Sequence, residues 1–158
     1  MPENPKIVGA EPVLRGLPPD QIAVLAAASR HVCLPELHRL FAEGAPADRF
    51  WIIDAGEVAL DVLVPGVGRQ VIATLGRGDV AGLSWLVPPY QWQFGAVCTQ
   101  PMQAFEFDAA AVRAACAGDP QLGYVLMTRF MAIALRRLHS TRAAVCSPSS
   151  PLSWSGQL

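Results

Sequence analysis

Apolar residues follow two spacings along this chain, and glycine and proline mark the changes between them. From about His31 to Phe107 they recur at every second position in short runs. Val58, Leu60, Val62 and Val64 alternate with Ala59, Asp61 and Leu63, and Phe50 and Ile52 precede them. Val71, Ala73 and Leu75 repeat the pattern, followed by Phe94, Ala96 and Cys98, then Phe105 and Phe107. A period of two places one side of a strand in a core. Asp54-Ala55-Gly56 and Pro65-Gly66-Val67-Gly68 supply turns, and Gly44, Gly56 and Gly78 stand where positive φ is expected. Many short strands at close spacing predict a barrel or jelly roll, not a sheet of βαβ units.

Outside this region the spacing becomes helical. Leu17–Ser29 predicts a short helix, with proline in the first turn, Asp20 at the positive end, and Ile22, Leu25 and Ala26 on one face. Asp108 predicts a cap for a helix over Ala109–Ala117, with Gly118 as its left-handed stop. Asp119-Pro120 then predicts a cap and a first-position proline for a long helix reaching about Val145. Leu122, Leu126, Phe130, Ile133, Ala134, Leu138 and Val145 form its apolar stripe at steps of three and four. Residues 1–16 predict an irregular lead-in, and the Ser/Pro-rich tail from Cys146 to Leu158 is expected to be disordered. No internal repeat is visible.

Composition narrows the classes of function. A chain of 158 residues, 52% hydrophobic and 16% charged, suits one domain with a core of its own. Its net charge of -1 argues against a general nucleic-acid binder. No apolar run approaches the roughly 18 residues of a membrane span. The first residues lack a basic start followed by an apolar stretch, so no signal peptide is read and a cytoplasmic location is expected. Cys33, Cys98, Cys116 and Cys146 form no close pair, which favours ordinary free thiols over zinc or redox chemistry. His31, Cys33 and His38 lie close in sequence, but a chance grouping is a better reading than a metal or haem ligand set. No catalytic triad, paired-carboxylate motif or nucleotide glycine loop is present, so neither an enzyme nor a bound cofactor is expected.

Four words then occur in register: Leu14-Arg15-Gly16-Leu17-Pro18-Pro19-Asp20, Leu40-Phe41-Ala42-Glu43-Gly44-Ala45-Pro46-Ala47-Asp48, Trp51-Ile52-Ile53-Asp54-Ala55-Gly56-Glu57-Val58, and the run Ala73–Gly82. Together with a short helix, about eight strands and a long last helix, they resemble the sensor domain of the Crp/Fnr superfamily of cyclic-nucleotide-binding regulators. The resemblance implies a mainly β fold with flanking helices, a double-stranded β-helix or jelly roll. It sets a domain at 12–145, after a lead-in at 1–11 and before the tail at 146–158. It also implies a homodimer through helix 120–145, with Leu126, Phe130, Ala134 and Leu138 as the seam. The family's helix-turn-helix reader has no counterpart in the tail, so a sensor domain without direct specific DNA binding is expected.

The phosphate-binding cassette the resemblance implies falls at Gly78–Gln93, and there the chain departs from the family. Gly82 is kept, but Leu83 stands where a ribose-binding Glu is expected. Tyr90 or Gln91 stands where a phosphate-binding Arg is expected, and neither carries charge. Backbone groups at Leu83, Ser84 and Trp85 remain candidates for an anion. The candidate ligand-binding residues are therefore Gly82, Leu83, Ser84, Trp85, Tyr90, Gln91 and Trp92. Trp85, Tyr90, Trp92 and Phe94 crowd this region, and their rings can fill the pocket, stack on another planar ligand, or leave weak cyclic nucleotide binding. The long helix has a basic face of Arg129, Arg136, Arg137, His139 and Arg142, read as solvated and suited to the helix dipole, with an acidic protein partner as the alternative. The expected function is a regulatory or interaction module with a degenerate cassette. A genuine sensor of a cyclic nucleotide or related anion is one alternative, and a transcription regulator acting through a separate DNA-binding partner is another.

Overall fold

A computed structural model of the chain describes residues 3–145, and the expected tail, 146–158, lies outside the described residues. Two short helices come first, α1 (Pro5–Val8) and α2 (Pro19–Ala27). Eight strands follow: β1 (Ser29–Leu34), β2 (Arg39–Phe41), β3 (Arg49–Ala55), β4 (Val58–Val64), β5 (Gly68–Leu75), β6 (Val80–Ala81), β7 (Gly95–Cys98) and β8 (Met102–Asp108). The described residues end with α3 (Ala109–Gly118) and the long α4 (Pro120–Val145). The strands form two four-stranded antiparallel sheets, in the orders β1-β8-β3-β6 and β2-β7-β4-β5. This is the mainly β jelly roll that the alternating pattern predicts, with its short N-terminal and long C-terminal helices.

The alternation holds where one face of a strand is covered and fails where both are. In β8, Phe105 and Phe107 are buried as expected. In β3, Phe50 and Ile52 are buried, but so are Trp51 and Ile53. Phe50 meets Phe130 of α4, while Trp51 stacks with Phe41 of the other sheet, so β3 is enclosed on both sides. In β5 the register passes from Leu60–Ala73 to Asp61–Val71 and leaves Ile72 as an extra residue. That bulge breaks the period, and Val71 is exposed rather than sharing the inner face with Leu75.

The predicted turn glycines Gly44, Gly56 and Gly78 all have positive φ. Gly56 is the most constrained of them, because an added Cβ would lie 2.2 Å from the Pro101 carbonyl oxygen. Asp108 caps α3 by accepting the Ala111 N–H at 3.0 Å. Asp119 caps α4 through the Leu122 N–H at 3.2 Å, and its other oxygen accepts Gln21 Nε2 of α2 at 3.0 Å. Gly118 is not the expected left-handed stop; it ends α3 without positive φ, and Asp119 is the extended residue that breaks the helix. The following Pro120 disfavours a helical residue at Asp119, so the chain needs no glycine there.

Residues 3–16 are more regular than their sequence suggests. Asn4 accepts the Lys6 N–H at 3.0 Å and starts α1, and Val8, Val13 and Leu14 are buried. One turn of helix is too short to show a period. Arg129 of α4 holds this segment from the other side, donating to the carbonyls of Val13 at 2.8 Å and Arg15 at 3.0 Å.

Candidate functional site

The cassette region runs from the end of β6 to the start of β7, and Gly82 opens it with φ of +96°. A Cβ at Gly82 would lie 2.6 Å from Cη2 and 2.8 Å from Cζ3 of Trp92. Only glycine lets a ring come this close to the backbone. Trp92 is 3% exposed and stacks on Phe41 with ring centroids 3.8 Å apart. Its backbone is tied to the loop between β2 and β3. Trp92 donates to the Ala45 carbonyl at 2.9 Å, Gly44 donates to the Trp92 carbonyl at 2.8 Å, and Ala47 donates to the Tyr90 carbonyl at 2.7 Å. The structure thus brings Trp92 onto Gly82. Gln91 points to solvent, and Tyr90 lies under the Arg113 guanidinium, 4.1 Å from its ring centroid.

The remaining candidates form a separate cluster. Trp85 is 1% exposed, stacks on Phe50 at 4.4 Å and meets Phe130 edge-on at 5.6 Å. Its carbonyl accepts Arg113 Nη1 at 2.9 Å, and its indole N–H has no partner among the described residues. Leu83 is half-buried against the core and Ser84 is half-buried beside it. The four aromatics of the region therefore separate: Trp85 joins Phe50 and Phe130, Trp92 joins Phe41 and Trp51, Tyr90 pairs with Arg113, and Phe94 is exposed. The cassette helix is reduced to one 3-10 turn, Ser84–Leu86. A single turn sums too few peptide dipoles to make a strong anion site.

Two concave surfaces lie elsewhere. A cavity of about 340 Å³ between β5 and α4 is lined by Thr74, Asp79, Arg136, Arg137, Ser140 and Thr141, among others. Arg137 donates to the Val80 carbonyl, and burial pushes its pKa below the usual guanidinium value. A groove of about 720 Å³ runs between the α2–β1 junction and the start of α3, where Arg30 and Arg49 bond Glu106 at 2.7 and 3.0 Å. Of the polar lining residues, sequence reasoning gave a role only to Arg136 and Arg137, as part of a basic face, and to Asp108, as a cap, while Asp48, Thr74 and Asp79 fell within the family words. Arg113, which grips the cassette loop, carried no signal, because its partners are a carbonyl and a ring far away in sequence.

The long helix corrects the expected seam. Leu126 and Phe130 are each 1% exposed and pack in their own roll with Leu122 and Ile133, so they are not free to meet a partner. Ala134 is half-buried, and of the four expected residues only Leu138 stands clear, at 67% exposure. A second stripe, Tyr124, Met127, Met131, Leu135 and Leu138, is exposed along the helix. The basic face is also divided. Arg129 and Arg137 are spent on backbone carbonyls of the same chain, whereas Arg136, His139 and Arg142 are exposed. Among the described residues no three His, Cys, Asp or Glu side chains gather as a metal site, and the partner of His31 is Asp54 at 3.8 Å.

Comparison with known proteins agrees with this architecture. The chain matches the cyclic nucleotide-binding domain over residues 32–119, and it belongs to that family. A CRP-like cAMP-activated global transcriptional regulator of Mycobacterium tuberculosis (strain ATCC 25618 / H37Rv) is 28% identical over 138 residues. That match covers 87% of this chain and 61% of the regulator, so the chain spans about three-fifths of its curated relative. Among solved structures, a candidate cyclic nucleotide-binding protein from Geobacter metallireducens GS-15 superposes with a TM-score of 0.78 at 25% identity, covering 86% of this chain and 98% of that one. The Thermus thermophilus Catabolite Activator Protein shares the fold, with a TM-score of 0.67 at 19% identity over 85% of this chain and 61% of its own. Among the described residues no helix is long and apolar enough to cross a membrane.

Proposed function

We propose that this domain is a regulatory or interaction module that does not depend on a cyclic nucleotide and works as a homodimer through α4. The observation that carries the reading is the Trp92 ring seated on Gly82, the glycine at which the family resemblance puts a phosphate. Leu83 offers no ribose acceptor, and no cassette residue from Gly82 to Gln93 carries a charge. The domain is non-catalytic and cytoplasmic on this reading. It reads no DNA sequence itself, in keeping with its net charge of -1.

Calorimetric titration with cyclic AMP and cyclic GMP tests the proposal directly. Two missing charge-assisted contacts, each worth about 1.5–3 kcal/mol, remove roughly two to four orders of magnitude in affinity. The expected result is no heat at micromolar concentration, and a micromolar constant would overturn the reading. A second reading, a sensor of a small anion, draws support from the cavity between β5 and α4. Its lining holds Arg136 and Arg137 with Thr74, Ser140 and Thr141 as well as the Asp79 carboxylate, and the Ser140 and Thr141 hydroxyls donate to the Arg136 and Arg137 carbonyls. Binding of either nucleotide that is lost in Arg136→Glu but kept in Leu83→Ala would favour that second reading.

A further inference from the structure

The stretch from Leu83 to Tyr90 is fastened to the rest of the domain at few points. Two backbone bonds, from the Leu86 N–H to the Leu83 carbonyl and from the Tyr90 N–H to the Val87 carbonyl, stay inside it. Val87, Pro88 and Pro89 are exposed. Trp85 packs in the core against Phe50 and Phe130, but its indole nitrogen is the single buried side-chain nitrogen or oxygen without a hydrogen-bond partner among the described residues. A donor buried in this way is costly. Tyr90 adds a backbone φ of +55°, which a residue with a large side chain disfavours. Arg113 of α3 meets both of these strained residues. Its Nη1 donates to the Trp85 carbonyl at 2.9 Å, and its guanidinium lies 4.1 Å from the centroid of the Tyr90 ring. Among the described residues this is the one hydrogen bond that ties Leu83–Pro89 to another element, and Tyr90 has a second tie through its carbonyl, which accepts the Ala47 N–H at 2.7 Å. Arg30 and Arg49 of the neighbouring groove are both paired with Glu106, whereas the contacts of Arg113 are uncharged.

We propose that Arg113 is a latch on the cassette. While the guanidinium holds the Trp85 carbonyl and the Tyr90 ring, the stretch is shut on the roll; when it lets go, the stretch opens locally and the rest of the domain stays folded. A hydrogen bond from a cation and a cation–π contact favour the shut form. Opening gives the Trp85 N–H access to water and lets the Tyr90 backbone relax. A stretch so balanced belongs to the low-stability end of a folded domain. The post that carries the latch is firm. Ala109 and Val112 of α3 are buried, and Gly123 of α4 lies so close to Cys116 that an added Cβ would come 3.3 Å from its Cβ. Trp92, beyond the stretch, is bonded separately to Gly44 and Ala45.

Hydrogen exchange followed by mass spectrometry on the full chain tests this. Arg113→Met keeps the alkyl stem and removes both contacts, so exchange in peptides covering residues 83–90 should rise roughly tenfold. Peptides of β3 and β8, which share the core with Trp85, should keep their wild-type rates. Arg113→Lys retains the charge without the planar fork and should give a smaller rise. Tyr90→Leu removes the ring beneath the guanidinium and should also speed exchange at residues 83–90, which serves as the test if the Arg113 variants fold poorly. A residue that merely supports the core would instead loosen β3, β8 and the stretch together. Unchanged exchange at residues 83–90 in the variant that folds, or an equal rise across β3, β8 and the stretch, would overturn the proposal. Neither outcome depends on whether the cassette binds a nucleotide.

Discussion

At the scale of single residues, Gly82 and Asp61 show how much the sequence reveals. Gly82 was legible, because a glycine after an apolar strand pair in a recognisable word marks a close approach. What approaches it was not legible, since Trp92 reaches Gly82 only through the loop between β2 and β3. Gly82→Ala combines strained positive φ with overlap on the Trp92 ring, and should cost about 1–3 kcal/mol in urea unfolding. Asp61 read simply as an outward position in an alternating strand. It is instead 3% exposed and holds Arg39 through two contacts, at 3.2 and 2.8 Å, and Arg69 through a third at 3.2 Å. Gly95 leaves room for this pair, as an added Cβ would lie 2.3 Å from Asp61 Oδ1. The Arg39 hydrogen bond holds the Asp61 carboxyl below the usual carboxylate range, against the opposing effect of burial. A depressed folded pKa stabilises the protein above the ordinary carboxylate value, and the gain is lost as pH falls through the folded one. Arg39→Met should therefore destabilise by roughly 1–3 kcal/mol near pH 7. The difference should shrink in unfolding experiments near pH 3, where protonation removes the buried charge.

At the scale of elements, α4 shows where periodicity stops being informative. Steps of three and four correctly gave a long helix with an apolar side, but α4 carries apolar residues on two sides. Leu122, Leu126, Phe130 and Ile133 face the roll, while Tyr124, Met127, Met131, Leu135 and Leu138 face outward. The sequence does not say which stripe meets the domain's own core, because that depends on where Phe50 and Trp85 present their rings. Phe130 touches both, at 5.7 and 5.6 Å. Phe130→Ala should then lower the stability of the folded domain by about 3–5 kcal/mol, the usual cost of a large core cavity. Loss of stability in chemical denaturation is the expected reading, whatever the state of assembly. A variant as stable as wild type would show that Phe130 is not part of the domain's own core.

At the scale of the whole molecule, the fold was legible because it rests on many independent signals. Alternating strands, turn glycines and two capping aspartates agree with one another, and the family words fall on the same elements. Assembly rests on fewer. Five large side chains along the outer face of α4, each 46–75% exposed, recur at intervals of three or four residues. Tyr124, Met131 and Leu138 repeat every seven residues, with Met127 and Leu135 beside them. This is the spacing by which one helix packs lengthwise against another, and a second copy of α4 supplies the matching surface. Few monomers expose so continuous an apolar strip. We therefore expect a homodimer at micromolar concentration by light scattering. Met131→Glu with Leu135→Glu should yield monomers, since each charge would have to be buried against apolar side chains of the partner. The same pair should leave the unfolding free energy of the monomer nearly unchanged, because both residues are exposed within one subunit. Phe130→Ala should show the opposite balance, a weakened domain whose seam residues are intact. A wild-type chain that stays monomeric at every concentration tried would remove the seam. If instead the double variant is also the less stable domain, α4 packs on its own roll more extensively than its exposed stripe indicates.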